Sequence, residues 1–319
     1  MNEAKENTIV TIGDAAYLWG IFLLAASARK AGMEEPFLVG CKGFGEKEKR
    51  VLRQLGGVEF LPLDGEKRSL TCLKAKTMLE AGTEWTTWAD SDGFFSGNVS
   101  DILLPEKPDE IHFRMRKPEE LPGRVWRWAR GLDGRSVPGE VLEAWRRDVE
   151  AVAGRAEKEA RFTTTGSACF FSLSLRRYRG FLETYAALQE RVLPERDVGV
   201  VDRGLKYYPQ LDESTLNACL AFAPGAPAVQ ETYRMDKDRK RLFVHFIGQP
   251  KPWQGWTKRA FRFFGETVDV VEWASSRGLE LPSPAPWTLR AGNKALCRMS
   301  ISWMAFSAKA KRVARSVFA

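Results

Sequence analysis

Two short stretches of this chain carry most of the side chains that could do chemistry. "WTTWADSDGFF" ends an apolar run with Asp90 and Asp92. Residues two apart on a strand face the same side, and where the strand ends the chain can turn both carboxylates onto one divalent cation. Hard oxygen ligands select Mg²⁺, Ca²⁺ or Mn²⁺. The spacing alone is weak, because aspartates also favour turns through their own hydrogen bonds. "HFIGQPKPW", from His245 to Trp253, holds one of only 2 histidines in 319 residues. A lone histidine is more often a hydrogen-bonded core residue than a ligand, so its neighbours must decide. Gly248 permits close backbone approach to a bound group, Lys251 is a mobile point charge suited to phosphate, and the prolines stiffen the loop. An imidazole, a glycine and an ammonium on one stiff loop suit a diphosphate.

The elements that must position these loops alternate between β and α. "TIVTI" reads as a buried strand, Asp14 as an N-cap, "AAYLWGIFLLAASARKAG" as a helix ending near Gly32, and "PFLVG" as the next strand. A charged helix "EKEKRVLRQLGG", a strand "VEFLPL", a helix around Leu70 to Ala81 and the strand "EWTTWA" follow. Strands separated by helices of this length imply a doubly wound, mostly parallel sheet with ligands at the carboxyl ends of its strands, which is where Asp90 and Asp92 fall. Residues of about 116–161 read as a helical insertion rich in Trp, Arg and Glu. A strand "SACFFSL", a helix from about Leu175 to Val192, the segment "LDESTLNACLAF" and a strand "LFVHFIG" complete the body. We therefore expect a catalytic domain over residues 1–256 and a C-terminal extension over 257–319 that passes through a proline-rich "LPSPAPW" and is basic and amphipathic from about 287.

Composition narrows the function classes. An apolar share of 44% with 11% aromatics excludes global disorder. The 5 scattered cysteines form no CxxC and suggest no disulfide framework. The start "MNEAKENTIV" does not read as a secretory signal, and "YLWGIFLLAASA" is too short to span a bilayer, so the expected compartment is the cytoplasm. The net charge is +8, yet seven lysines and arginines and no acidic residue lie between Leu281 and Ala319, which leaves the remainder at +1. A nucleic-acid partner would need a basic face on the body and is not expected. Basic residues mixed with Leu296, Met299, Trp303 and Phe306 instead suggest peripheral contact with the inner face of an anionic membrane, or a helix packing on the body.

Taken in order, the motifs resemble those of family 8 glycosyltransferases of the GT-A fold, the group of glycogenin, galactinol synthase and bacterial lipopolysaccharide galactosyl- and glucosyltransferases. "TIVTIGDAAY", Lys74, "ADSDGFFSGNVSDIL" for the family's DxD, "LDESTLN" for its DQxxLN and "HFIGQPKPW" for its HxxGxxKPW follow one another across residues 8 to about 256. The resemblance implies a Rossmann-like, mixed and mostly parallel sheet. It implies that Asp90, Asp92 and His245 bind Mn²⁺, with Mg²⁺ as the other choice, against the diphosphate of a UDP-sugar. Thr11, Gly13, Asp14 and Tyr17 would serve the base side of the donor, and Ser91 sits inside the metal motif. Lys74, Thr164, Gly166, Asp212 and Glu213 would serve the sugar, with Asp212 the group closest to a catalytic role there. Gly248 and Lys251 would hold the distal phosphate as it leaves. The implied reaction is retaining transfer of a glucose or galactose unit to a glycan or glycolipid. Two departures fall in the sugar pocket: "TTTGS" places Thr164 where the family has Asn, and Glu213 replaces its Gln.

Acceptor recognition is expected from the variable parts, around Trp126, Trp128 and Trp145 and after Trp253, since aromatic faces stack on sugars and arginines pair with phosphates. The same tryptophans could equally be core. Two other functions fit parts of the pattern. DxDG after an apolar strand also occurs in haloacid-dehalogenase-type phosphatases, with the first Asp as nucleophile, although here three β/α elements precede it. A basic polyanion-binding protein on an α/β scaffold is the non-enzymatic alternative.

Overall fold

The computed structural model describes residues 6–120, 136–199, 201–202, 204–231 and 243–317. Its centre is a seven-stranded sheet in the order β3-β2-β1-β4-β7-β6-β8. β1 (Asn7–Asp14), β2 (Phe37–Lys42), β3 (Val58–Pro62) and β4 (Trp85–Ala89) run parallel to one another. β7 (Gly166–Ser174) pairs antiparallel with β4 and with β6 (Glu110–Met115), and β8 (Ala228–Glu231) is parallel to β6. Helices cover both faces, so β4 is buried along its whole length and reads as a continuous run rather than an alternating one. The architecture is the mixed, mostly parallel α/β arrangement expected.

One face is covered by α1 (Leu18–Lys30), α2 (Glu46–Arg53) and α7 (Phe264–Ser276), whose apolar residues share one core with β1 and β2. The other is covered by α3 (Lys74–Leu79), α4 (Gly139–Ala153), α5 (Leu175–Val192) and α6 (Leu211–Phe222). Trp256, expected near the end of the catalytic body, is 1% exposed and donates its indole N–H to the Thr288 carbonyl at 2.8 Å. The proline-rich stretch after it thus lies against the body. The last helix, α8 (Lys294–Val317), touches that body through Cys297 and Ile301.

Two expectations need correction. "LFVHFIG" is no strand of the main sheet: among the described residues only β9 (Val244–His245) is extended and paired, and its partner is β5 (Gly93–Phe94), in a separate two-stranded ribbon. Trp145 is no acceptor platform. It is 0% exposed on α4, with its indole N–H bonded to the Tyr207 carbonyl at 3.0 Å, because that face of the helix packs on α6. Trp126 and Trp128 lie outside the described residues.

Candidate active site

β4 delivers Asp90 at its carboxyl end, where the backbone N–H of Asp90 still bonds to the Cys169 carbonyl of the next strand. Three residues on, Gly93 pairs with His245 in the β5–β9 ribbon, and the Asp92 carbonyl accepts from the Phe246 N–H at 2.8 Å. This short ribbon joins the two motifs. Gly93 cannot be replaced without moving it, since a Cβ there would lie 2.1 Å from the Phe243 ring and 2.6 Å from the Val244 carbonyl oxygen. Gly20 on α1 is a second close approach: a Cβ would meet the Ser91 carbonyl oxygen at 2.2 Å and the Trp253 ring at 2.6 Å. One helix thereby braces the DxD turn and the KPW turn together.

The outcome is a cluster in which Asp90, Asp92 and His245 each offer a ligand atom within 4.8 Å of the others. His245 Nε2 lies 2.9 Å from Asp92 Oδ1 and 3.6 Å from Asp90 Oδ2. Burial alone would disfavour the imidazolium, but the Asp92 carboxylate beside it outweighs that and raises the His245 pKa well above the ordinary range. Burial likewise opposes ionisation of Asp92, and His245 and Lys251 override it, so its carboxyl is held below the usual range. Lys251 Nζ donates to Asp92 and to the Phe246 carbonyl. Two carboxylates and an imidazole form a donor set suited to Mn²⁺ or Mg²⁺, binding of which requires the neutral imidazole.

Lys74, at the first turn of α3, is 3% exposed and links this cluster to the next one. Its ammonium lies 2.7 Å from Asp90 and 2.8 Å from Asp212, donates to the Ala168 carbonyl and sits over the Trp88 ring at 4.9 Å. Asp212 and Glu213 open α6. Burial pushes the Asp212 carboxyl up to about 6, with Lys74 opposing and Asp90 adding to the shift. Glu213 pairs with Arg116 at 2.7 Å, and although burial alone would lower the Arg116 pKa, this carboxylate raises it. Asn217, one turn further along α6, accepts from the Gly166 N–H at 2.6 Å and donates to the Gly166 and Glu213 carbonyls, locking α6 to the start of β7.

These groups line one cavity of about 570 Å³. Of the residues singled out in the sequence, Tyr17, Lys74, Asp90, Asp92, Asp212, Glu213, His245, Gly248 and Lys251 are on its wall. Tyr17 stands edge-on to Trp253 at 5.8 Å, and burial raises its pKa. Gly248 has a φ of 87°, the left-handed region that favours glycine. The others stand behind the wall. Thr11 is fully buried in β1, with no hydrogen-bond partner for its hydroxyl among the described residues. Asp14 caps the turn at Ala15–Tyr17 through the Ala16 and Tyr17 N–H groups. Gly13 packs under Ile21 and Tyr17, and Gly166 under the Phe113 ring. Ser91 is buried beneath Gly20, and Thr164 is half-buried outside the cavity. The sequence reading missed Arg116, which stood there only as the border of an insertion, and Cys169, which lines the cavity beside His245. It also missed Asn217, although the residue lay inside a quoted motif.

No protein-family model matches the chain, and no curated protein matches it in sequence. Solved structures do. The bifunctional glycosyltransferase WbbM superposes with a TM-score of 0.56 at 12% identity over 91% of this chain, which spans about half (51%) of WbbM's own length. The galactosyltransferase LgtC, solved with donor and acceptor sugar analogues, gives 0.53 at 15% identity over 88% of this chain and 98% of LgtC. The glycosyltransferase GlyE of Streptococcus pneumoniae TIGR4 gives 0.52 at 11% identity, covering 88% of this chain and 66% of GlyE. At these identities the likeness establishes the fold, that of GT-A glycosyltransferases.

Proposed function

We propose that the chain is a family 8 glycosyltransferase. It transfers glucose or galactose from a UDP-sugar to a glycan or glycolipid acceptor, with retention at the anomeric carbon, and Asp90, Asp92 and His245 hold Mn²⁺ or Mg²⁺. The observation that carries the reading is the meeting, within 4.8 Å, of ligand atoms from two loops far apart in sequence, beside a cavity that also holds Lys251. The shared fold with LgtC, whose structure holds donor and acceptor sugar analogues, supports it.

When bound, the divalent ion supplies a Lewis acid at the donor diphosphate. The chain's own groups do the rest. The Lys251 ammonium, held on Asp92 and the Phe246 carbonyl, faces the same cavity and stabilises the charge that builds on the leaving diphosphate. Gly248, with no atom near its missing Cβ, lets the backbone approach the phosphates. Tyr17 forms the wall of the base pocket, and Thr11, Gly13, Asp14 and Ser91 shape it from behind. Lys74 fixes the Asp212 carboxylate 2.8 Å away, where it stabilises the oxocarbenium-like carbon. Arg116 neutralises Glu213, the family's amide position, and Thr164 and Gly166 complete that side. The departing diphosphate assists deprotonation of the acceptor hydroxyl, so no dedicated base is needed.

Residues 1–256 carry the donor machinery in this reading, and the extension 257–319, whose first part packs into the same core, meets the inner face of a membrane from the cytoplasm through its last helix. No described helix is long and apolar enough to cross one. On α8, however, Leu296, Met299, Trp303 and Phe306 recur at intervals of three and four and are 54%, 67%, 70% and 65% exposed. Their Trp and Phe, with a basic and acid-free remainder, suit the interface of an anionic bilayer.

The deciding experiment is thermal unfolding with UDP and Mn²⁺ singly and together. Stabilisation of about 3 kcal/mol at a hundredfold excess over Kd is expected only with both present, and Asp92→Ala removes it. UDP stabilisation that is unchanged in chelator would refute the metal role.

A further inference from the structure

The charges lining the cavity do not all belong to the donor. Each acid on the wall already has a cation: Asp90 and Asp212 share Lys74, Asp92 has Lys251 and His245, Glu213 has Arg116 and Glu120 has Arg114. Arg259 and Arg262 also line the cavity, are exposed, and form no ion pair among the described residues. Arg259 is the N-cap and Arg262 the third residue of the 3₁₀ helix Ala260–Phe263, a geometry in which residues three apart eclipse one another, so both side chains leave on one face. The adjoining face is anchored, with Ala260 and Phe263 each 3% exposed and Phe263 edge-on to Phe94 at 6.1 Å. The Arg262 guanidinium lies 4.7 Å from the Phe263 ring centroid.

We propose that Arg259 and Arg262 form an acceptor subsite for an oxyanion, a phosphate or carboxylate carried on a sugar. The inference rests on the donor reading above, in which the diphosphate is matched by the metal centre and Lys251. That leaves two guanidiniums on an anchored turn with no charge to meet. Arginine suits planar or tetrahedral oxyanions because its fork donates two parallel hydrogen bonds. The acceptor is therefore an acidic or phosphorylated sugar rather than a neutral one.

The test is calorimetric titration of the full chain, saturated with UDP and Mn²⁺, using galactose 6-phosphate, galacturonate and galactose as probes. At least one charged probe is expected to bind about tenfold or more tightly than galactose, as charge-assisted hydrogen bonds imply. The stronger of the two identifies the oxyanion. The double variant Arg259→Gln, Arg262→Gln is expected to reduce the preference to about twofold or less while the stabilisation by UDP with Mn²⁺ stays unchanged. Equal affinity for all three probes, including no binding of any, overturns the proposal, as does a preference that survives in the double variant. Loss of the UDP response in the variant assigns the arginines to the donor instead and equally overturns it. A wild-type chain without any UDP response fails earlier, at the donor reading itself.

Discussion

Asp212 offers a test in which stability and function move in opposite directions. Its carboxyl is raised from 3.8 to about 6 because it is buried and because the Asp90 charge repels its own, while the Lys74 ammonium, shared with Asp90, opposes the rise. A folded-state pKa above the unfolded one means that folding favours the protonated form. Its contribution to stability is full below about 3.8 and is lost as pH rises through about 6. At about pH 7.5 the ionised group opposes folding by about 3 kcal/mol, falling to about half of that near pH 5. Asp212→Asn keeps the shape and removes the charge, while Lys74 retains Asp90, the Ala168 carbonyl and the Trp88 face. Urea unfolding in chelator should therefore find the variant more stable than wild type at pH 7.5, by at most about 3 kcal/mol, with the gap halving near pH 5. Added Mn²⁺ should narrow the gap, since positive charge beside Asp90 relieves its repulsion of Asp212. The same variant should lose most transferase activity, the trade expected where a site holds a charge the fold would not choose. A variant less stable than wild type at pH 7.5, or a gap that widens as pH falls, would show that the Asp212 charge is favourable and that the reasoning is wrong.

Other consequences are equally direct. Lys251→Ala should lower kcat far more than it raises the donor KM, because its contact strengthens as charge builds on the leaving group; steady-state kinetics with unchanged kcat would remove that role. Gly166→Ala should destabilise by about 1–3 kcal/mol, read as a lower urea midpoint, since the new methyl lies 1.9 Å from the Phe113 ring, which is itself fully buried. Trp303→Ser with Phe306→Ser should abolish co-sedimentation with vesicles containing phosphatidylserine and leave the thermal midpoint unchanged, because both side chains are exposed. Equal sedimentation of variant and wild type would exclude the apolar face as the contact.

What the sequence disclosed, and what it withheld, follows from how local each signal is. β1, β2 and β4 were legible as apolar runs between helices, and the helix Leu175–Val192 was legible because its apolar positions recur with helical spacing up to Leu193. Asp90, Asp92, His245 and Lys251 were legible because each stands in a short motif whose residue types have little other use together. The joints between motifs were not. β5 and β9 are two residues each, too short for any periodic signal, and they exist because Gly93 lets the Phe243 ring and the Val244 carbonyl come close. Gly20 is one small residue in a greasy helix until Ser91 and Trp253 are seen above it. Arg116 and Glu213 were read separately, one as a border and the other as a departure from the family's amide.

Their pairing shows how the Glu213 charge is compensated. A carboxylate alone beside Asp212 would add a second negative charge to a buried corner that already shares one ammonium. Arg116 is 6% exposed and donates to Glu213, the Thr165 hydroxyl and the Gly166 carbonyl, so the added charge arrives with its counter-ion built into the start of β7. Removing either partner alone leaves a buried charge without compensation, which costs about 3–5 kcal/mol, whereas exchanging both for neutral residues of similar shape is far milder. The Glu213 side of the cavity is thus charged but balanced. In this chain Arg116 belongs to the same buried charge network as Lys74, Asp212 and Glu213.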